Sequence, residues 1–329
     1  MTYSDHRQTP LHSGFGAATT ATEALAGRDL SGVQAIVTGG YSGLGLETVR
    51  VLAGAGATVL VPARDPHQAQ AALHGMAGVE IATLDLLDSQ SIDAFADAYL
   101  ASGRSLHVLV NGAGIMATPL LRDARGYEAQ FATNHLGHFQ LTARLWPALR
   151  RAQGARVVCV SSLGHLQAGV DLDDPHFLHQ PYDKWRAYAQ SKSANALFAV
   201  ELDRRAVAHG VHAFSLHPGA ILTPLLRHLD PDDMRRVGAL DEQGQVNPPP
   251  QSGFKNVAQG AATAVWCATS AQLEGLGGVY CEDCDIAALV ADDSTGPGVR
   301  RWAVDPAQAR RLWMLSEQMT GVRFDCDAA

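Results

Sequence analysis

Cysteine is scarce in this chain. There are five in 329 residues, Cys159, Cys267, Cys281, Cys284 and Cys326. An odd, scattered set excludes a disulfide framework as the basis of the fold and predicts a reducing compartment. Long hydrophobic runs are missing too: nothing approaches the roughly 18 residues that a membrane span requires. The opening MTYSDHRQTP lacks the charged-then-apolar layout of a secretory signal. The expectation is a cytoplasmic protein without a membrane span. Positive charge is in short supply, 25 Lys and Arg against 33 Asp and Glu, for a net charge of −8. That leaves no basic footprint for nucleic acid. Internal repeats and low-complexity tracts are absent. What remains is 47% hydrophobic and 18% charged, over a length that can bury a large core without staples. That composition suits one large globular domain, or at most two.

Residues 1–30 are small, polar and weakly periodic, and read as an N-terminal extension. From Gly32 onward short apolar runs alternate with longer amphipathic ones. AIVTGG, ATVLVPA, VEIATLD, LHVLVNGAG, ARVVCVSS and VHAFSLHPG read as strands. Between most of them lie stretches of helical length, such as SQSIDAFADAYLASG and EAQFATNHLGHFQLTARLWPALRRA. The strands are continuously apolar, as expected where both faces are buried. The alternation predicts an α/β domain over 31–290, with a doubly wound parallel sheet covered by helices on both faces. Residues 225–256 break the pattern, being polar and carrying Pro248–Pro250. They are either a substrate loop or a surface insertion. Residues 291–329 read as a C-terminal tail.

At residues 38–45, TGGYSGLG joins the first strand to the following helical stretch. Glycine there permits a tight turn and lets backbone approach a ligand. The unpaired N–H groups at the start of a helix suit a pyrophosphate. The spacing, Gly39-x3-Gly43-x-Gly45, differs from the commoner G-x-G-x-x-G dinucleotide fingerprint. The alternative reading is a tight strand-helix turn without ligand. Tyr188 and Lys192 are spaced to share one helix face. A tyrosine near its ordinary pKa of about 10 is a poor acid-base group at neutral pH. An ammonium one turn away should pull it down.

TGGYSGLG, NGAG at 111–114 and YAQSK at 188–192 occur in the order of the short-chain dehydrogenase/reductase family, which the chain resembles over about residues 31–290. The finer wording ARD, NHLGHF, VSSLGH and HPG is similar to the retinol-dehydrogenase-like branch. The resemblance implies a Rossmann-type fold and an alcohol dehydrogenase or carbonyl reductase. It makes Tyr188 the acid-base group, Lys192 its electrostatic partner and holder of the ribose, Ser162 the hydrogen-bond partner of the reacting oxygen, and Asn134 the anchor of a proton-relay water. Ser162 could otherwise be a cap and Asn134 a solvent-facing helix residue. Ser162 and Tyr188 stand 26 positions apart, about double the usual gap of the family, so the extra stretch should border the substrate. Its His176, His179 and Asp173 lack compact ligand spacing, and no metal is expected. His135 and His138 read as packing and capping residues.

The resemblance also assigns the dinucleotide to Gly39, Ser42, Gly43, Leu44 and Gly45, to Asp85 and Leu86, to Asn111, Ala113 and Gly114, and to Pro218, Gly219, Ile221 and Thr223, besides Tyr188 and Lys192. Asp85 would hold the adenine amino group, or else cap the next helix. Cofactor choice turns on VPARD at the end of the second strand. Arg64 suits a 2′-phosphate, whereas Asp65 beside it would favour a ribose hydroxyl, and Arg64 could instead stack on adenine. NADP(H) is expected, with NAD(H) the alternative. Leu166, Phe177, Leu178, Trp185, Leu225, Leu226 and Met234 would give an apolar substrate wall, or else pack against the body of the protein. Cys281 and Cys284 read as structural. The resemblance further implies a homodimer or homotetramer. Two other functions fit the fold, a non-catalytic dinucleotide sensor and a sugar-nucleotide epimerase or dehydratase. The intact Ser162, Tyr188, Lys192 and Asn134 argue against the first, and the turn spacing against the second.

Overall fold

The six apolar runs form β1 (Gln34–Val37), β2 (Thr58–Ala63), β3 (Val79–Thr83), β4 (Val108–Asn111), β5 (Arg156–Val160) and β6 (His212–His217). In this computed structural model, residues 7–246, 253–294 and 296–326 are described. Two further strands, β7 (Val279–Glu282) and β8 (Asp285–Ile286), complete a sheet ordered β3-β2-β1-β4-β5-β6-β7-β8. All its pairings are parallel except the last. Short β9 (Leu289–Val290) and β10 (Val299–Arg300) pair separately.

Strand residues alternate between two cores, which is why the runs are apolar throughout. Val37, Val59, Val110, Val158 and Phe214 face one side, toward α1 (Ala21–Leu25), α2 (Gly43–Gly54), α3 (Pro66–Ala72) and the later α10 (Ala262–Thr269). Ile36, Leu60, Leu109, Val157 and Ala213 face the other. There they meet α4 (Ser89–Ala101), α6 (Gly137–Arg151) and α7 (Lys184–Ala206). A three-residue α5 (Ala129–Phe131) leads into α6 through a π turn, Ala132–Leu136. The sequence predicted one uninterrupted helix there. β3 departs from the continuous pattern, exposing Glu80 and Thr83, because it is the sheet edge.

The stretch after β6 runs through a 3₁₀ turn (Pro224–His228) and α8 (Pro231–Arg236), then returns beside Ile221 at Lys255 before α9 (Val257–Gly260). Pro248–Pro250 lie outside the described residues. The final helix, α11 (Pro306–Thr320), lies on α7. Trp313 stacks on Phe198 and on Phe324, and Phe139 meets both Trp313 and Phe324 edge-on. The N-terminal segment is pinned across β7 and β8. The buried Gln8 amide donates to Tyr280 O and Ala287 O and accepts from Tyr280 N, and Asp285 accepts from the backbone N–H groups of Leu11 and Ser13.

The sheet order reverses direction between β1 and β4, so a crevice opens at the carboxyl ends of those strands, where ligands bind in folds of this type. TGGYSGLG and NGAG are the loops at that crevice. Gly45 is fixed by its surroundings: a Cβ there would lie 2.3 Å from Gly39 O. Gly45→Ala should cost about 1–3 kcal/mol, read as a lowered denaturation midpoint. A Cβ on Gly54, in the same helix, would meet nothing within 4 Å. Gly54→Ala should leave stability unchanged or raise it by up to about 1 kcal/mol. Equal midpoints for the two variants would contradict the packing argument.

Candidate active site

The turn after β1 brings backbone against backbone. Gly39 has φ of +72°, and a Cβ on it would stand 3.0 Å from Ala113 Cα. Ser42 occupies the N-cap of α2 in an extended conformation, yet its side chain makes no capping bond. The first-turn residues Gly43, Leu44 and Gly45 are only half-buried. Uncapped N–H groups in the first turn of a helix attract an anion, so this cradle fits the pyrophosphate of a dinucleotide. On the opposite wall, Gly112 and Ala113 donate their N–H groups to Thr38 Oγ1 at 2.9 and 3.0 Å. Asn111 is buried and its amide reaches inward to Thr142 Oγ1 at 3.2 Å. Gly114 faces the reacting corner: a Cβ on it would meet Asn134 Oδ1 at 3.0 Å and Lys192 Nζ at 3.7 Å.

Arg64 and Asp65 stand in different local settings. Asp65 caps α3, accepting from His67 N and Gln68 N. Arg64 is exposed directly after β2, and no hydrogen bond or ion pair engages it among the described residues. Asp85 does not cap α4, because Asp88 does. One Asp85 oxygen accepts from Leu87 N at 2.9 Å. Leu86 is buried, and its carbonyl would lie 2.4 Å from a Cβ on Gly137, so α6 starts hard against that loop. Pro218 and Gly219 follow β6. Gly219 has φ of +106° and carries the stem of Lys255 against it. Ile221 bridges to Lys255, and Thr223 caps the 3₁₀ turn with its methyl side beside Gly43.

Asp183 caps α7, and that helix carries both Tyr188 and Lys192. The Tyr188 ring lies on Gly164, where a Cβ would come within 3.0 Å of its Cδ1 and Cε1. Ser162 Oγ accepts from Gly164 N at 3.1 Å and lies beside the Tyr188 side chain at Gly164. Lys192 Nζ donates to Val160 O at 3.0 Å and stands 5.6 Å from the Tyr188 ring centre. The protonation picture differs from the expectation. Burial pushes the Tyr188 phenol up to about 12, with the neighbouring Ser162 hydroxyl acting against it, and pushes Lys192 down to about 8. Spacing put the ammonium beside the phenol, but it could not register the loss of water around both.

Asn134 sits in the π turn and is buried. Its Oδ1 accepts from Ile115 N, and its Nδ2 donates to Ile115 O and Ser191 Oγ. Ser191 donates in turn to Tyr188 O. The structure thus brings Asn134, Ser162, Tyr188 and Lys192 to one corner beside Gly114. Residues that sequence reasoning left without a role also stand there: Thr38, Gly164 and His217, whose Nδ1 accepts from Leu163 N at 3.1 Å. A threonine ending a buried strand was the available signal for Thr38.

Above Tyr188 lies an apolar cluster of Met116, Ala117 and Trp185 with Leu225, Leu226, Leu229 and Val237. α8 is tied to the start of α7: Lys184 pairs with Asp233, Trp185 Nε1 donates to Asp233 Oδ1 at 3.2 Å, and Arg236 lies over the Trp185 ring. Not every expected wall residue is there. Leu178 is 63% exposed, Phe177 packs on Tyr182 instead, and Leu166 and Met234 are outside the cluster. His176 stacks on Tyr127 with ring centres 4.5 Å apart, and burial pushes it down to about 4. Asp283 and Cys284 form the β7–β8 turn with positive φ, and Cys281 and Cys284 are buried. Among the described residues no helix is long and apolar enough to cross a membrane.

The short chain dehydrogenase family model matches residues 34–234. A probable oxidoreductase from Streptomyces lividans is 48% identical over 292 residues, 87% of this chain and 96% of the relative. Retinol dehydrogenase 12 from Mus musculus is 34% identical over 306 residues, 90% of this chain and 89% of that protein. An uncharacterised protein from Mycobacterium paratuberculosis has a crystal structure that superposes with a TM-score of 0.70 at 33% identity, covering 94% of this chain and 98% of that one.

Proposed function

Because the chain belongs to the short-chain dehydrogenase/reductase family, with retinol dehydrogenases among its relatives, we propose that it is an NADP(H)-preferring oxidoreductase that reduces the carbonyl group of an apolar small molecule. The observation that carries this reading is the pairing of a protonated phenol with an apolar cover. Tyr188 stands beside Ser162 and is backed by Lys192, beneath Met116, Trp185, Leu225 and Leu226.

A nicotinamide dinucleotide, when bound, supplies the hydride or accepts it. The chain's own groups do the rest. At neutral pH Tyr188 keeps its proton, which equips it to donate to the oxygen of a carbonyl as that oxygen becomes an alkoxide. Ser162 Oγ already accepts from Gly164 N, so its own proton can be directed at the same oxygen. Lys192, still charged below about pH 8, stabilises the phenolate left behind. Alcohol oxidation runs the same steps backward and needs the phenolate first, so it should accelerate with rising pH. The apolar cluster excludes water from the reacting carbon and suits a hydrophobic aldehyde or ketone.

Oxidation of NADPH and of NADH, side by side, against a panel of hydrophobic aldehydes and ketones tests the reading. Turnover with NADPH is the expected result, and turnover chiefly with NADH would overturn the cofactor preference. Free Arg64 is the basis for that preference, because its guanidinium matches a 2′-phosphate. Arg64→Asp should weaken NADPH binding by roughly 10-fold or more while changing NADH little. Equal effects on the two would remove Arg64 from that role.

A further inference from the structure

His138 lies one helical turn beyond Asn134 and is fully buried. Each ring nitrogen has one partner. Nδ1 is 3.0 Å from Asn134 O, and Nε2 is 2.9 Å from Thr38 Oγ1. The partners fix the tautomer, since a carbonyl can only accept. Nδ1 therefore carries the proton, and Nε2 accepts from the Thr38 hydroxyl. Burial pushes the ring's pKa down to about 4, so it stays neutral. The Thr38 hydroxyl also stands 3.3 Å from Val110 O, but the shorter 2.9 Å contact is the one to His138, and Oγ1 accepts from Gly112 N and Ala113 N. Asn134 meanwhile holds both backbone groups of Ile115. Two side chains one turn apart on the π-turned helix thus grip the same loop at both ends. One takes residues 112 and 113 through Thr38, and the other takes residue 115 directly.

We propose that His138 is a positioning residue that locks the Asn134 corner of the active site to the floor of the dinucleotide cleft, with one ring nitrogen on each. The proposal rests on the oxidoreductase reading of the site. The π turn widens the helix at Ala132–Leu136 and gives Asn134 a backbone position that ordinary α-helical bonding does not enforce. The His138 ring enforces it from the side. An apolar ring of the same size would fill the space yet remove the side-chain contact to Asn134 O and leave the Thr38 hydroxyl only its longer 3.3 Å contact to Val110 O. Packing alone therefore does not explain an imidazole here.

The test uses His138→Asn, His138→Gln and His138→Phe. The Asn amide nitrogen falls about where Nδ1 stands and keeps the bond to Asn134 O. The Gln amide oxygen falls about where Nε2 stands and keeps the bond to Thr38. Dissociation constants for NADPH and NADH are read from quenching of tryptophan fluorescence without substrate, melting temperatures give the folded fraction, and kcat is measured separately. His138→Gln should hold dinucleotide affinity within about 3-fold while kcat falls roughly 10-fold, and His138→Asn should do the reverse. His138→Phe, where folded, should lose both. Asn and Gln variants that behave alike, or a folded Phe variant with wild-type affinity and turnover, would overturn the lock. Losses that vanish once corrected for folded fraction would reduce His138 to packing and overturn it equally. A wild-type protein that binds neither dinucleotide would bring down the oxidoreductase reading, and the lock with it. Wild-type binding without turnover on the panel leaves the affinity split between Asn and Gln as the deciding measurement.

Discussion

Tyr188→Phe should cut carbonyl reduction by about 10²–10⁴-fold while dinucleotide affinity and melting temperature stay near wild type. The substitution removes one oxygen and leaves the ring. That ring packs on Gly164 below and touches the Met116 and Trp185 cluster above, so the volume of the site is kept. What is lost is the hydroxyl beside Ser162 and with it the transferable proton. Because the phenol is held at about 12, it is a proton donor across the working range, and the Ser162 hydroxyl, which can point a proton at the same oxygen, is a weaker acid than a phenol. Lys192 Nζ is directed at Val160 O. Near wild-type turnover by Tyr188→Phe would remove Tyr188 as the acid-base group.

Lys192→Met should reduce kcat/KM by roughly 10²-fold or more and at the same time raise the melting temperature. The two effects have one cause. Burial disfavours the ammonium and pushes Lys192 down to about 8. The folded protein therefore holds that proton less firmly than the unfolded chain, and the charged group costs stability at neutral pH. That cost fades as pH rises from about 8 toward the ordinary lysine value. Methionine fits a similar length without charge. Val160 O keeps a second donor, Asn195 Nδ2 at 3.0 Å, so no carbonyl is stranded. The wild-type reduction rate should be flat near neutrality and fall as pH passes about 8, while the Met variant should lack that limb. Rate profiles and melting curves over pH 6–9.5 check both. A destabilised variant, or one with an unaltered pH profile, would contradict the assignment.

Much of the fold was legible because burial on both faces of a parallel sheet writes itself into sequence as unbroken apolar runs. Val37 and Ile36 point to opposite cores, and neither position can be polar. The glycine turn was legible because Gly39 and Gly45 sit where a Cβ would strike backbone. The π turn was not: ATNHL has the periodicity of an ordinary helix, and one extra residue in a turn leaves no trace in composition. Residues 225–256 looked polar by count, yet Leu225, Leu226, Leu229 and Val237 converge on Tyr188. A few apolar side chains on a short 3₁₀ turn and helix suffice for that, and averaging over the stretch hides them. The proton affinity of Tyr188 was misjudged for a related reason. Spacing on a helix gives neighbours in the same element, whereas the dominant effect comes from the elements that shut water out. His138 was read as packing because its partners, Thr38 and a backbone carbonyl, are brought together only by the sheet and the widened helix.

The aromatic cluster at α11 also sets an order of events during translation. Phe139 and Phe198 emerge from the ribosome well before Trp313 and Phe324, which cover them. A chain growing from its N-terminus folds its early elements first, so the faces of α6 and α7 that carry those two rings stand open to water until the later residues arrive. Gln8, made earlier than either ring, likewise waits for Tyr280 and Ala287 before its amide is satisfied. The nascent protein thus presents open apolar surface on the helix that bears Tyr188 until synthesis has passed Phe324, an interval open to aggregation and to chaperone capture.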